Sequence, residues 1–267
     1  KNRYAVQVGL FESELNSAVM AIQDKASSSF IKAQMNRSWP GQQAREYWSL
    51  QSGVDVHSNK LDGSARLLYL IRAGGGYTRL IDYTWSVDLE TSLAYADDTI
   101  NSGIYIEPDA TLSYNYNDQL GGVATLSGEL KNPTLLEWQE YNRFLTPSTR
   151  LQHSYHIGVS AEVFWNFMQT SRVYSGLQWE HISRFGYAQR EQLDITNPDN
   201  LSGNTQDLFY NLNYADARVT KFYLGSTVEW LGGDIQGAAE ISLRSPRLTS
   251  KKDIPFEEKF RIESSVH

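Results

Sequence analysis

From Leu151 to Trp165 the chain alternates with a period of two, and it does so over a run longer than the ~5–6 residues of an ordinary soluble strand. Odd positions read Leu151, His153, Tyr155, Ile157, Val159, Ala161, Val163 and Trp165; even positions read Gln152, Ser154, His156, Gly158, Ser160, Glu162 and Phe164. Successive strand side chains point to opposite faces, so one face here is apolar and the other polar or small. The pattern recurs. Trp85, Val87, Leu89, Thr91, Leu93 and Tyr95 oppose Ser86, Asp88, Glu90, Ser92 and Ala94. Ile104, Ile106, Pro108, Ala110, Leu112, Tyr114 and Tyr116 oppose Tyr105, Glu107, Asp109, Thr111, Ser113 and Asn115. Similar runs cover Trp48–Val56 and Ile235–Leu243, and near the end Phe260, Ile262 and Val266 oppose Arg261, Glu263 and Ser265.

Read throughout, this periodicity predicts about twelve strands, at 3–14, 28–38, 44–58, 63–73, 79–97, 103–117, 121–131, 150–166, 170–184, 207–231, 234–245 and 255–267. Helical periodicity is weak, and only 14–25 and 134–142 suggest short helices. The connections alternate in length. Short ones are expected at Trp39–Gln43, Gly74–Thr78, Asn117–Leu120, Asn166–Gln169 and Leu231–Asp234, and longer ones at 14–27, 132–149, 185–206 and 246–254. Asn59–Gly63 and Asp98–Ser102 are short connections on the long side. Tight turns on one side and longer loops on the other are expected of an outer-membrane barrel, with the tight turns periplasmic. Tyr116, Trp165 and Trp230 stand beside short turns, and Trp39 lies within one, where an interfacial aromatic girdle would sit.

No stretch approaches the ~18–20 consecutive apolar residues of a membrane helix, and hydrophobic residues make up only 40% of the 267. A bundle of membrane helices is therefore excluded, whereas a barrel is not, since only alternate strand residues meet lipid. The 16 Tyr, 10 Phe and 7 Trp suit membrane–water interfaces, but also suit a soluble β-sandwich that binds carbohydrate, which stays open as an alternative. Without cysteine there are no disulfides, thiolate metal sites or cysteine nucleophiles, and a net charge of −7 argues against a nucleic-acid partner. No signal peptide is visible ahead of Lys1-Asn2-Arg3-Tyr4.

One segment carries a family resemblance. Pro133-Thr134-Leu135 is followed, after a loop, by Leu151, Ser154, Tyr155 and Gly158 in a Leu-x-x-Ser-Tyr-x-x-Gly arrangement. About 30 residues here resemble a segment of TonB-dependent outer-membrane receptor barrels, where a strand ends in a Pro-Thr-Leu-like element, an external loop follows, and the next strand descends to a periplasmic turn. Gln152-His153 stand where the family often has Pro-Glu, and the usual Glu before the Gly is absent. The resemblance implies a bacterial outer-membrane location, a transport role, and an energising periplasmic partner. Family barrels have 22 strands, and neither a plug domain nor a TonB box is recognisable, so residues 1–267 are expected to be a single β-barrel domain or a fragment of one. A complete twelve-strand barrel is the alternative.

The transmembrane antiparallel up-and-down β-barrel reading assigns faces. Asp88, Glu90, Glu107, Asp109, Glu162, Glu240 and Arg244 fall on the polar, lumen-facing side, along with Asp55, Glu129, Glu180, Glu263, Arg66 and Arg261. They would tune a pore or bind a cationic solute, or simply form the salt-bridged wall that a water-filled lumen requires. Trp138, Tyr141 and Phe144 mark the 132–149 loop as a candidate external contact surface. The five histidines show no metal-ligand spacing, neighbouring carboxylates on one strand face sit too far apart for paired acid–base work, and the serines near His57 and His156 lack any Gly-x-Ser-x-Gly context. No catalytic set, cofactor or metal is expected. The expected function is uptake of a solute through an outer-membrane barrel, with outer-membrane lipid and possible envelope proteins as partners; the alternative is a barrel subunit that anchors an outer-membrane complex.

Overall fold

A computed structural model describes residues 2–17, 22–42, 45–61, 64–98, 100–132, 151–168, 170–190, 210–230, 235–250 and 259–266. They form β1 (Asn2–Ser17), β2 (Ile22–Pro40), β3 (Glu46–Leu61), β4 (Ser64–Leu80), β5 (Trp85–Asp97), β6 (Ser102–Asn115), β7 (Leu120–Lys131), β8 (Ser154–Met168), β9 (Ser171–Arg190), β10 (Tyr210–Trp230), β11 (Ile235–Leu248) and β12 (Phe260–Val266). All belong to one sheet in chain order, each strand antiparallel to the next. Among the described residues β1 pairs only with β2 and β12 only with β11, so the sheet is an open arc.

The alternation sets the two faces. Leu89, Ile104, Ile106, Val159, Val163, Leu177, Phe222, Leu224, Ile241 and Leu243 project from one side and remain 46–73% exposed. In a soluble sandwich such a face would be covered by a second sheet. Here no second layer exists among the described residues, so the apolar face is the outer wall of a barrel that needs lipid around it. The soluble-sandwich alternative is thereby set aside. Aromatics gather at the end carrying the tight turns: Trp48 packs on Tyr77 with ring centroids 4.7 Å apart, Trp85 on Tyr114 at 4.4 Å, and Trp165 on Phe167 at 5.9 Å.

Three local expectations are corrected. Within the 14–25 stretch, residues 14–17 and 22–25 are not helical; they lie in β1 and β2, with Glu14 in register with Lys25 and Asn16 with Gln23, and 18–21 lie outside the described residues. Polar residues of both parities in this stretch, Glu14, Asn16, Ser17, Gln23, Asp24 and Lys25, hide the period-two signature. Gly74-Gly75-Gly76 is no turn but the middle of β4, pairing Gly74 with Ser92 and Gly76 with Glu90, and the chain turns instead at residues 81–84. A Cβ on Gly74 would lie 2.5 Å from both the Ser92 Cβ and the Thr91 carbonyl oxygen, so the glycine permits close packing on β5 rather than a bend. Trp39 likewise lies in β2, opposite Trp48, and not in a turn. The 134–142 helix lies outside the described residues.

Candidate functional site

The site begins with a proline. β6 and β7 pair from Asn115 and Gly121 up to Asp109 and Ser127, then part company, although both strands continue beyond that point. Pro108 has no N–H to donate to the ladder, and its ring needs room. Gly128 supplies the room, since a Cβ there would overlap the Pro108 ring. Above this level a seam opens in the wall, and side chains fill it.

Glu107 is the centre of the filling. Its carboxylate is 7% exposed and accepts from Arg72 Nε at 3.1 and 3.0 Å, from Ser92 Oγ at 2.8 Å and from the Leu130 N–H at 2.7 Å. Arg72 also donates to the Leu130 carbonyl, and the Tyr155 hydroxyl donates to the Ile106 carbonyl at 2.5 Å. These bonds take up backbone groups of β6 and β7 that the split would orphan. Leu130, fully buried, turns inward against Leu70, Ala94 and Ala96, with Tyr105 and Tyr155 packed around them.

Next to the seam is a second polar cluster. His153 Nδ1 lies 2.7 Å from Asp98 Oδ2, both side chains fully buried, and His153 Nε2 lies 2.8 Å from the Tyr105 hydroxyl. Arg184 donates through Nε to the His153 carbonyl at 3.0 Å and through its Nη2 to the Tyr105 hydroxyl at 2.6 Å. A bulge aims Arg184 there: the β9–β10 register shifts between Ala215 and Ala217, Arg184 takes φ 58°, and its N–H donates to Asp216. Asp98 also caps its own turn, accepting from the Ile100 and Asn101 N–H groups. Burial alone would raise the Asp98 pKa. The hydrogen bonds from the His153 ring and from the Asn101 and His153 N–H groups outweigh it and bring the value down from 3.8 to about 2. The alternation puts His153 on the apolar face with Leu151. Both are instead buried at the rim, because residues 151–153 precede β8 and the strand's facing rule does not reach them.

On the inner wall beside these clusters, Ser154 Oγ lies 3.0 Å from His156 Nε2, and His156 Nδ1 lies 2.6 Å from Glu180 Oε1. Ser154 and His156 share a face because they are two apart on β8, and Glu180 reaches His156 past Gly158, its opposite number in the ladder. A cavity of about 400 Å³ opens over Ser154 and His156, lined also by Arg72, Leu130, Asn132 and Arg184. A larger hollow of about 510 Å³ lies lower on the inner wall. There Glu162 pairs with Arg172 and accepts from Tyr223, while Glu240 accepts from Lys221 at 2.7 Å and from Tyr174 at 3.3 Å.

The residues singled out by sequence thus fall in different places. Glu107, Glu162 and Glu240 lie in these clusters, and Glu90 stands opposite Asp109 on the inner wall. Asp88 is exposed and accepts from Thr78. Arg244 lines a hollow of about 240 Å³ with Glu180, Arg261 and Glu263. Tyr116 and Trp165 are exposed at the tight-turn end, and Trp230 pairs in register with Ile235. Trp138, Tyr141 and Phe144 lie outside the described residues. Periodicity missed Arg72, Asp98, Tyr105, Leu130 and Arg184; the available signal was a proline in an otherwise ideal strand.

No protein-family model matches the chain, and no curated protein matches it in sequence. Solved structures do. The copper transporter OprC superposes over 98% of this chain and 45% of its own, with a TM-score of 0.60 and 9% identity. The ferripyoverdine receptor of the outer membrane of Pseudomonas aeruginosa matches over 91% of this chain and 36% of its own (TM-score 0.58, 9% identity). The siderophore receptor PirA from Pseudomonas aeruginosa matches over 99% and 52% (TM-score 0.57, 10% identity). The chain therefore spans about half the length of these proteins or less, and its fold is that of part of an outer-membrane receptor barrel.

Proposed function

We propose that the chain is part of the barrel of a bacterial outer-membrane transport protein, similar to TonB-dependent receptors, which takes up a solute through its lumen. One observation carries this: a twelve-stranded, up-and-down sheet whose outer face is exposed and apolar and whose inner face is lined by ion pairs, in the fold of known outer-membrane receptors. An unpaired strand edge in hydrocarbon costs several kcal/mol per backbone group. On this reading further strands complete the wall between β12 and β1, and a periplasmic partner supplies energy. The inner-wall groups Asp88, Glu90, Asp109, Glu162, Glu240 and Arg244 then face the solute's route, while Glu107 is taken up within the wall.

The test is made on the full-length protein. It should fractionate with the outer membrane and shift mobility on a gel between unheated and boiled samples. Deleting its gene should then reduce uptake of one solute in a growth screen on limiting nutrients, and an uncoupler should mimic the deletion. A barrel with intact fractionation but no uptake defect would instead support a subunit that anchors an outer-membrane complex.

A further inference from the structure

Ser154 and His156 stand in register with Lys131 and Glu129 of β7, and Glu180 with Gly158 of β8. The grouping of Ser154, His156 and Glu180 links β8 to β9 through side chains. Its order is nucleophile, base, orienting acid: Ser154 Oγ to His156 Nε2 at 3.0 Å, His156 Nδ1 to Glu180 Oε1 at 2.6 Å. With Glu180 ionised, Nδ1 carries the imidazole proton and donates it to the carboxylate. Nε2 is left as an acceptor aimed at the Ser154 hydroxyl. The histidine ring is mostly buried, at 17% exposed, while Ser154 and His156 both face the cavity of about 400 Å³. The same cavity is lined by Asn132, which is buried and whose side-chain Nδ2 has no acceptor among the described residues. A buried amide donor without a partner is costly to keep, and it matches the donor that a developing oxyanion needs.

We propose that Ser154, His156 and Glu180 form a serine-hydrolase site that cleaves carboxylic esters of small solutes at the mouth of the lumen, with Asn132 as oxyanion donor. Ser154 Oγ adds to the ester carbonyl carbon as its proton passes to His156 Nε2. The ester C–O bond breaks, and the alcohol leaves with that proton. Water then adds to the acyl–Ser154 carbonyl, giving a proton to Nε2. The acid departs as that proton returns to Ser154 Oγ. Water has access because Ser154 opens β8 at the rim. The site stands apart from the transport proposal and fails or holds independently of it.

The experiment uses the full-length protein purified from the outer membrane in detergent. It is treated with a fluorophosphonate probe and mapped by peptide mass spectrometry, with turnover followed on p-nitrophenyl acetate. The expected result is a single adduct on Ser154 and ester hydrolysis, both abolished by Ser154→Ala. His156→Gln should slow labelling about 100- to 10,000-fold. Glu180→Gln should slow turnover strongly, and Glu180→Asp should restore most of it, a rescue that a merely structural carboxylate would not show. Asn132→Ala should lower kcat with little change in KM. The heat-dependent gel shift confirms that each variant is folded. No adduct on the wild-type protein, an adduct at another serine, or hydrolysis that survives Ser154→Ala would overturn the proposal.

Discussion

The body of the sheet and its rim are held together differently. From Asn115 to Asp109, β6 is bonded to β7 residue by residue; from Pro108 upward the same strand is bonded to its surroundings by Glu107, Arg72, Tyr155 and Leu130. The two ends of β5 show the same contrast. In the turn before it, Asp82 Oδ1 accepts from the Thr84 and Trp85 N–H groups, and in the turn after it Asp98 Oδ1 accepts from the Ile100 and Asn101 N–H groups. Asp82 is exposed and does nothing further that the structure shows, whereas Asp98 is buried and also holds His153. The difference follows from Pro108, which cannot donate to the ladder. Every backbone group within a membrane wall must still be paired. Beyond the split, side chains take over that task, and a cavity opens in the wall.

The sharpest way to break this comparison is to put charge on the two faces of the body. Leu89→Arg or Val159→Arg on the outer wall should cost ~2–4 kcal/mol near mid-membrane, and Ser86→Arg or Ser160→Arg on the inner wall much less. Urea titration of the full-length protein in lipid vesicles measures both, and equal losses on the two faces would defeat the membrane assignment. At the rim, Glu107→Ala should cost ~1–3 kcal/mol, because it leaves Arg72 Nε, Ser92 Oγ and the Leu130 N–H without their acceptor. The loss should appear as faster hydrogen exchange at Leu130 and Lys131 and leave the lower half of β7 unchanged. Uniform exchange along β7 would mean that the rim and the body are one cooperative unit.

The body was legible in the sequence and the rim was not. Alternation from Trp85 to Tyr95 and from Leu151 to Trp165 reports a face wetted by lipid and a face wetted by water, so it identified strands, sidedness and fold class. Its authority ends where strands end or side chains are absent. His153 precedes β8 and was given to the wrong face, and Gly74-Gly75-Gly76, which carry no side chains to alternate, read as a turn. Glu107 was marked as one lumen carboxylate among many, since nothing in its neighbours announces Arg72, 35 positions earlier, or Leu130, 23 later. Ser154 and His156 were seen to share a face, but Glu180 completes the set only through the β8–β9 register. Pro108 was the one local clue, a residue unable to donate in the middle of a strand.

Acid should separate rim from body more gently. The Asp98 pKa is lowered from 3.8 to about 2, so its contribution to stability is fully present above pH 4 and is lost as pH falls from there through about 2. Near-ultraviolet circular dichroism should therefore report loosening of Tyr105, which touches His153, at acid pH while the strand signal persists. Asp98→Asn should flatten that profile.

The smallest expected effect lies at the opposite end. Asn117 Oδ1 accepts from the Gln119 and Leu120 N–H groups at 2.8 and 2.7 Å, the same turn geometry as Asp98 but exposed and without a second partner that the structure shows. Asn117→Ala should cost ~1 kcal/mol, the net worth of an ordinary turn hydrogen bond, because water replaces the lost acceptor. Its cost should not vary between pH 7 and pH 3, since asparagine does not titrate. A loss at Asn117 as large as that at Glu107 would mean that the tight turns, and not the rim, bear the strain of the open wall, and the contrast drawn from β5 would have to be reversed.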